Sequence, residues 1–308
     1  MPNLNIVGKR KIFIYLSLAF IIFCVIVIFV KGFNFGVDFS GGSEIVISTQ
    51  ETYTIDQLRD ALQKIDPSYA TAKIVSAKPS DEEITKNFYV ITVKDSFPSS
   101  QIKDEFINSL STYLQSSDLE VEQFNDVSGY AAKEIRSFAW YAIIATLAVL
   151  LIYITIRFQF SFAIGAILAL AHDVIVTLGF YSLFGIEMNL MAIAAFLTLV
   201  GYSLNNTIVV YDRIRENRAK SRATPIEEVM NQSINDVLVR CLHTSITTFI
   251  VVFLMLLMGG RSIASFAFGL TMGVVVGTYS SIFIASPIVI PMMKDKKKGT
   301  KKSSSKSR

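Results

Sequence analysis

The chain has 308 residues; 52% are hydrophobic, only 18% are charged, and the formal net charge is +4 at pH 7. That balance excludes an ordinary soluble domain, in which about a quarter of residues are charged. Two cysteines and two histidines leave no disulfide framework and no metal-ligand spacing.

Residues 1–11 bring Lys9, Arg10 and Lys11 up to an apolar run at 12–31. The run is longer than a signal-peptide core, and Lys31, Gly32, Phe33 and Asn34 follow it without a small-x-small cleavage site, so it reads as an uncleaved signal-anchor. A spanning helix needs about 20 mostly apolar residues, because hydrocarbon offers the backbone no partner. Five further runs qualify, at 136–157, 162–185, 188–211, 238–259 and 263–291. The expected fold is an integral membrane α-helical bundle of six transmembrane helices with one inserted α+β domain.

That insert, residues 34–134, has 17 Asp and Glu against 8 Lys and Arg, a net charge of −9. It opens with FGVDFSGG at 35–42, where Gly41 and Gly42 predict a turn. Residues 43–49 alternate like a strand. Residues 54–65 place Ile55, Leu58, Leu62 and Ile65 on one helical face, behind a capping box of Thr54 and Gln57. Residues 72–78 and 87–94 read as strands on either side of a polar turn at Pro79, Ser80 and Asp81. A second helix at 99–114 carries Ile102, Phe106, Leu110 and Leu114, and 119–127 closes as a strand. The order is βαββαβ, a ferredoxin-like arrangement. The insert has neither cysteine nor histidine and no phosphate loop, so a binding or mechanical role fits better than catalysis; the alternative reading of its acidity is solubility alone.

The spans hold the other informative residues. Gly165, Ala169 and Asp173 share a face, and Asp173 lies roughly 16 Å in from Phe162, near mid-membrane. A charge there costs about 2.5–3.5 kcal/mol on insertion scales, so Asp173 either locks helices together or has a function. Thr198, Tyr202 and Asn206 form one stripe, with Gly201 and Asn205 beside it. Arg240 enters the fifth span at its start, followed by Thr244, Thr247 and Thr248. Arg240 and Asn206 come from the same side to similar depth, which puts them within reach of each other; the alternatives are snorkelling for Arg240 and interhelical hydrogen bonding for Asn206. Gly269, Gly273 and Gly277, followed by Ser280 and Ser281, form a small-residue ridge for close packing.

Positive charge sets the orientation. The leader, Arg157, the segment 212–237 with Asp212, Arg213, Arg215, Arg218, Lys220 and Arg222, and the tail 292–308 all fall on one side if six helices alternate. By the positive-inside rule that side is the cytoplasm, with the insert outside and both termini inside. The tail faces anionic membrane lipid or stays a solvated end, and no nucleic-acid partner is expected.

Three stretches together resemble the SecF family of membrane subunits of the bacterial Sec translocase: FGVDFSGG, LAHDVIVTLG in the third span and GYSLNNTIVVYDRIREN ending the fourth. Asp38, Gly41, Gly42, Gly201, Asp212 and Arg213 fall on those motifs. The resemblance implies a chain in the bacterial inner membrane that pairs with SecD in a pseudo-symmetric bundle akin to the resistance-nodulation-division exporters. It implies that the pair uses the ion gradient to help draw preproteins out of the SecYEG channel after SecA has driven them in, with YajC as an associate. It implies no covalent chemistry and no cofactor.

The family pattern reads Asn-Asp where this chain has Asn205-Asn206, and an amide cannot titrate. Arg240 matches the family's arginine of the fifth span. Ion carriage is therefore expected to lean on a SecD carboxylate with Arg240 as counter-charge, and Asp173 is a further contributor. An exporter subunit for a small molecule or lipid is the alternative. A scaffold without a transport role remains open as well. An intramembrane protease ranks last, because Asp173 has no second mid-membrane acid and His243 lies near the cytoplasmic start of its span.

Overall fold

A computed structural model describes residues 4–77, 86–221 and 223–293. The polar turn at Pro79, Ser80 and Asp81, Arg222 and the tail from 294 onward lie outside the described residues. Six helices are long and apolar enough to cross a membrane. They are α1 (Arg10–Lys31), α5 (Gly129–Arg157), α6 (Phe160–Phe184), α7 (Leu190–Lys220), α8 (Ile226–Met258) and the last span, which begins as α9 (Arg261–Ser280). That span changes pitch in a π turn at Ser281–Ala285, and a single turn at Pro287–Val289 follows before it ends at Met293. Proline removes one backbone donor there, and the π turn accommodates the mismatch.

Helices α6, α7 and α9 form the buried centre; α1, α5 and α8 stand around it with most of their surface unpartnered. Close approach at the centre depends on small residues. A Cβ at Gly277 would sit 3.0 Å from Cβ of Ser203, a tight contact, so glycine there favours the close approach of α9 to α7.

α7 and α8 run 31 and 33 residues, about 47 and 50 Å, against a hydrocarbon layer of about 30 Å. The segment 212–237, read as a loop, is mostly helical among the described residues: α7 runs on to Lys220 and α8 starts at Ile226, and together they form a polar hairpin. Charge holds this hairpin together. Arg213 reaches Asp236 at 2.7 Å, and Asn217 donates to Ser233 and Asp236 at 3.0 Å each. The N-terminal segment docks on the same hairpin, with Asn231 Oδ1 accepting from the amides of Ile6 and Val7 at 2.9 and 3.1 Å.

At the other end of the bundle sits an α+β domain. Strands β2 (Gly42–Thr49), β3 (Lys73–Ala77), β4 (Asn87–Val93) and β5 (Glu120–Val127) form one antiparallel sheet in the order β3-β4-β2-β5. Helices α3 (Ile55–Ile65) and α4 (Ser100–Leu114) cross between them in sequence and pack against each other and the sheet. Thr54 and Gln57 close the capping box. Ile45, Ile47, Leu58, Leu62, Ile91 and Leu110 form a core separate from that of the bundle. Ile55 and Ile102, expected on the buried faces, sit in the first turns of their helices and stay exposed.

A two-strand parallel pairing joins domain and bundle. β1 (Asn34–Phe35), leaving α1, pairs with β6 (Glu187–Met188), just before α7.

Candidate functional site in the membrane bundle

Asp173 lies halfway along α6 and is fully buried. Ser203 of α7 and Ser280 of α9 donate their hydroxyls to its Oδ2 at 2.5 and 2.7 Å. His172 Nδ1 meets Oδ1 at 3.0 Å, and one proton must lie between those two atoms whichever group holds it. The imidazole stands beside the ring of Tyr279, whose hydroxyl lies 3.0 Å from Ser17 of α1. One carboxyl group thus gathers the three central helices, and the ring contact of His172 with Tyr279 leads on to a fourth. An unpaired carboxylate in this setting is costly, so the histidine and two hydroxyls are what allow it to be there at all. Thr177, one turn further along α6, has a buried hydroxyl with no hydrogen-bond partner.

Asn206 builds a second polar centre nearer the α7–α8 hairpin. Its Nδ2 donates to Ser245 of α8 at 3.2 Å, and Thr244 donates to its Oδ1 at 3.5 Å. Ser245 in turn accepts from Thr278 of α9 at 2.7 Å. The expected contact with Arg240 is not made. Arg240 is exposed and lines a cleft with Asp212, Glu216 and Asp236. Its long stem carries the guanidinium toward the acidic hairpin, one turn nearer water than Thr244, which takes the amide instead.

The stripe expected for Thr198, Tyr202 and Asn206 also separates. Eight residues rotate the helix by about 80°, so Thr198 points outward while Asn206 points in. Thr198 donates to Ala194 O at 2.8 Å in its own helix. Tyr202 has a buried hydroxyl without a partner. Gly201 and Asn205 share the exposed face with Thr198, and on α8 Arg240, His243, Thr244 and Thr247 are exposed too. Polar groups are therefore turned outward at membrane depth on two adjacent helices.

The FGVDFSGG stretch proves to be more than a turn. Asp38 Oδ2 accepts from the amide of Leu190 at 2.8 Å, capping the N-terminus of α7, where the helix dipole favours a carboxylate. Gly41 and Gly42 have φ of 76° and 111°, and a Cβ at Gly42 would lie 2.2 Å from the carbonyl oxygen of Val93. Glu44 and Glu187 face this junction. Burial first, then their mutual repulsion for Glu44, raises its carboxyl above the usual range, and burial likewise raises Glu187. At the hairpin end Asp212 pairs with Arg157 at 3.0 Å, while Arg213 holds Asp236 and Glu216. The sequence reading missed Ser203, Ser245 and Glu187, each an ordinary residue until the helices are placed side by side.

The C-terminal model of the protein export membrane proteins SecD/SecF matches residues 107–295, and the SecD/SecF GG motif matches residues 26–52. The protein translocase subunit SecF of Petrotoga mobilis is 68% identical over 301 residues, covering 98% of this chain and all of that one. The chain belongs to the SecD/SecF family. Protein translocation is accordingly its function, as a membrane subunit. Among solved structures, SecDF of Thermus thermophilus, described as a translocon-associated membrane protein, is similar with a TM-score of 0.82 at 32% identity. The match covers 94% of this chain and 38% of that longer one. SecDF in a super-membrane-facing form is similar with a TM-score of 0.65. In this SecD/SecF chain the GG-motif match spans the end of α1, the Asp38 cap and the first strand of the α+β domain, so the motif coincides with the joint between domain and bundle.

Proposed function

We propose that this chain is one half of a two-bundle unit with SecD that couples an ion gradient to preprotein export, and that Asp173 is its own titrating carboxylate. The supporting observation is the Asp173 cluster: a fully buried carboxyl whose bonds to Ser203, Ser280 and His172 link protonation to the packing of α6, α7 and α9. Adding or removing a charge there changes what each hydroxyl must do, and the helices that carry them shift with it.

SecD covers the outward polar face of α7 and α8. Arg240 and Asn205 are exposed there, as a counter-charge and an amide offered to a partner carboxylate should be. The α+β domain is a ferredoxin-like plait on the extracytoplasmic side; the strand order β3-β4-β2-β5 with two crossing helices supports it. Both termini are cytoplasmic in the bacterial inner membrane, in keeping with the basic hairpin and the N-terminal segment packing at one end. Because Asp38 of the GG motif caps α7, movement of α7 is passed to the domain that grips preprotein. SecYEG, YajC and the preprotein are the further partners. No covalent chemistry and no cofactor are involved.

The test is gradient-driven export of a preprotein by inverted vesicles holding SecD, SecYEG and either the native chain or Asp173→Asn. The substitution should abolish the gradient-dependent increment and leave SecA-driven transport. An undiminished increment would overturn the assignment of Asp173.

A further inference from the structure

Helix α5 stands apart from the bundle: Ala132, Ala139 and Ile154 are its only buried residues among those described. Between it and α6 and α7 lies a cavity of about 580 Å³. Ala139, Ile143 and Leu147 line it on α5, opposite Leu170, Val174 and Phe196. Among the described lining residues Arg136 is the one charged group, and no carboxylate lies within ion-pair distance of it.

Position along the membrane gives this arrangement a meaning. Arg157, at the far end of α5, pairs with Asp212 at the hairpin end of the bundle. Arg136 is about 21 residues, or ~32 Å, from it, one hydrocarbon thickness away and so at the opposite headgroup layer. Exposed Phe138, Trp140 and Tyr141 surround it as an interfacial aromatic belt does. On α5 the cavity runs inward from Arg136 to Leu147, about 16 Å, which is the depth of one leaflet.

We propose that this groove is a phospholipid site: one acyl chain of an anionic lipid fills it from the leaflet on the domain side, and the lipid phosphate rests on Arg136. The two features that a lipid presents, an anion at headgroup level and an apolar chain one leaflet long, are what the groove complements. A protein helix is the competing occupant, and the chemistry of the lining argues against it. Below the aromatic belt at Trp140 the described lining offers no polar side chain except Thr146, whereas the polar face of Thr198, Gly201 and Asn205 lies outside it on α7. The lipid would wedge α5, the helix that leads directly out of strand β5, against the centre of the bundle. This site is independent of Asp173 and stands or falls without it.

The experiment uses the full chain in vesicles of phosphatidylglycerol and phosphatidylethanolamine in equal parts. A trace of either lipid carries a diazirine in mid-chain, and the photolabelled residues are mapped by mass spectrometry. Phosphatidylglycerol should label around Ile143, Leu147 and Val174 in preference to phosphatidylethanolamine. Arg136→Gln should reduce that preference about fivefold, the effect of one interfacial cation. Ala171→Trp, which fills the groove from α6, should suppress labelling of the groove while the exposed face of α1 is labelled as before. Ile143→Trp does the same from α5 if Ala171→Trp fails to fold, as judged by its gel-filtration profile. Groove labelling unchanged by either tryptophan would overturn the site. Equal labelling by the two lipids in the native chain would overturn the role of Arg136. Labelling lost on adding SecD, with crosslinks from the groove to a SecD helix, would replace the lipid with a protein occupant.

Discussion

Asp173 and Asn206 occupy comparable places in the central helices, yet they are built to different ends. Each is buried and each is held by serine or threonine hydroxyls from neighbouring helices. Around Asn206 the donors and acceptors form a closed neutral chain through Ser245 to Thr278. Around Asp173 the hydroxyls converge on one oxygen, and a histidine holds the other. The first arrangement holds no ionisable side chain; the second is built on a carboxyl and an imidazole joined by a hydrogen bond. The site that the sequence marks most conspicuously, two amides beside a dense charge cluster, is thus the one that cannot titrate. The ionisable site is the inconspicuous aspartate a helix away.

The contrast can be broken by substitution. Asp173→Ala removes the acceptor for two buried hydroxyls and strands His172, so it should destabilise the bundle by about 3–5 kcal/mol in detergent unfolding. Asp173→Asn keeps the shape and should lose coupling with a smaller loss of stability, so the two variants separate function from folding. Gly277→Val forces a side chain into Ser203 and should cost about 1–3 kcal/mol, with impaired coupling because the spacing of α7 and α9 at the carboxyl changes. Asn206→Leu should cost only about 0.6–1.7 kcal/mol, the range for interhelical polar contacts in membranes, and leave the gradient dependence of export unaltered. If Asn206→Leu abolishes coupling while Asp173→Asn does not, the roles of the two sites are reversed.

The smallest effect is expected at the joint. Glu44 and Glu187 have carboxyls raised in the folded state, so their contribution is favourable below the ordinary value of 4.5 and is lost as pH rises through the raised one. Docking of the α+β domain should therefore tighten on mild acidification. Hydrogen exchange at residues 34–44 followed across that pH range should show rising protection toward acid, and Glu44→Gln should flatten the profile.

Periodicity and length were enough to anticipate six long apolar helices, the capping box and the succession of strands and helices in the inserted domain, because each rests on local pattern. What could not be read were relations between helices. Asp173 was singled out as an expensive residue, but Ser203 lies 30 positions away and Ser280 more than 100, and neither carries a signal until α7 and α9 cross α6. Arg240 and Asn206 agree in depth, and depth alone says nothing of azimuth; a turn of α8 decides that Thr244 and Ser245 face the amide. The motif glycines read as a turn because φ is local, whereas the Asp38 cap on Leu190 spans 152 positions and was invisible.

The central claim is that Asp173 changes protonation as the subunit works. The most direct measurement is an infrared difference spectrum of the chain with SecD in proteoliposomes, recorded with and without an imposed ion gradient. The account predicts a carboxyl band that shifts or disappears with the gradient, is absent in Asp173→Asn and survives in Asn206→Leu. A carboxyl signal unaltered by Asp173→Asn would contradict it and move the titrating group to the partner.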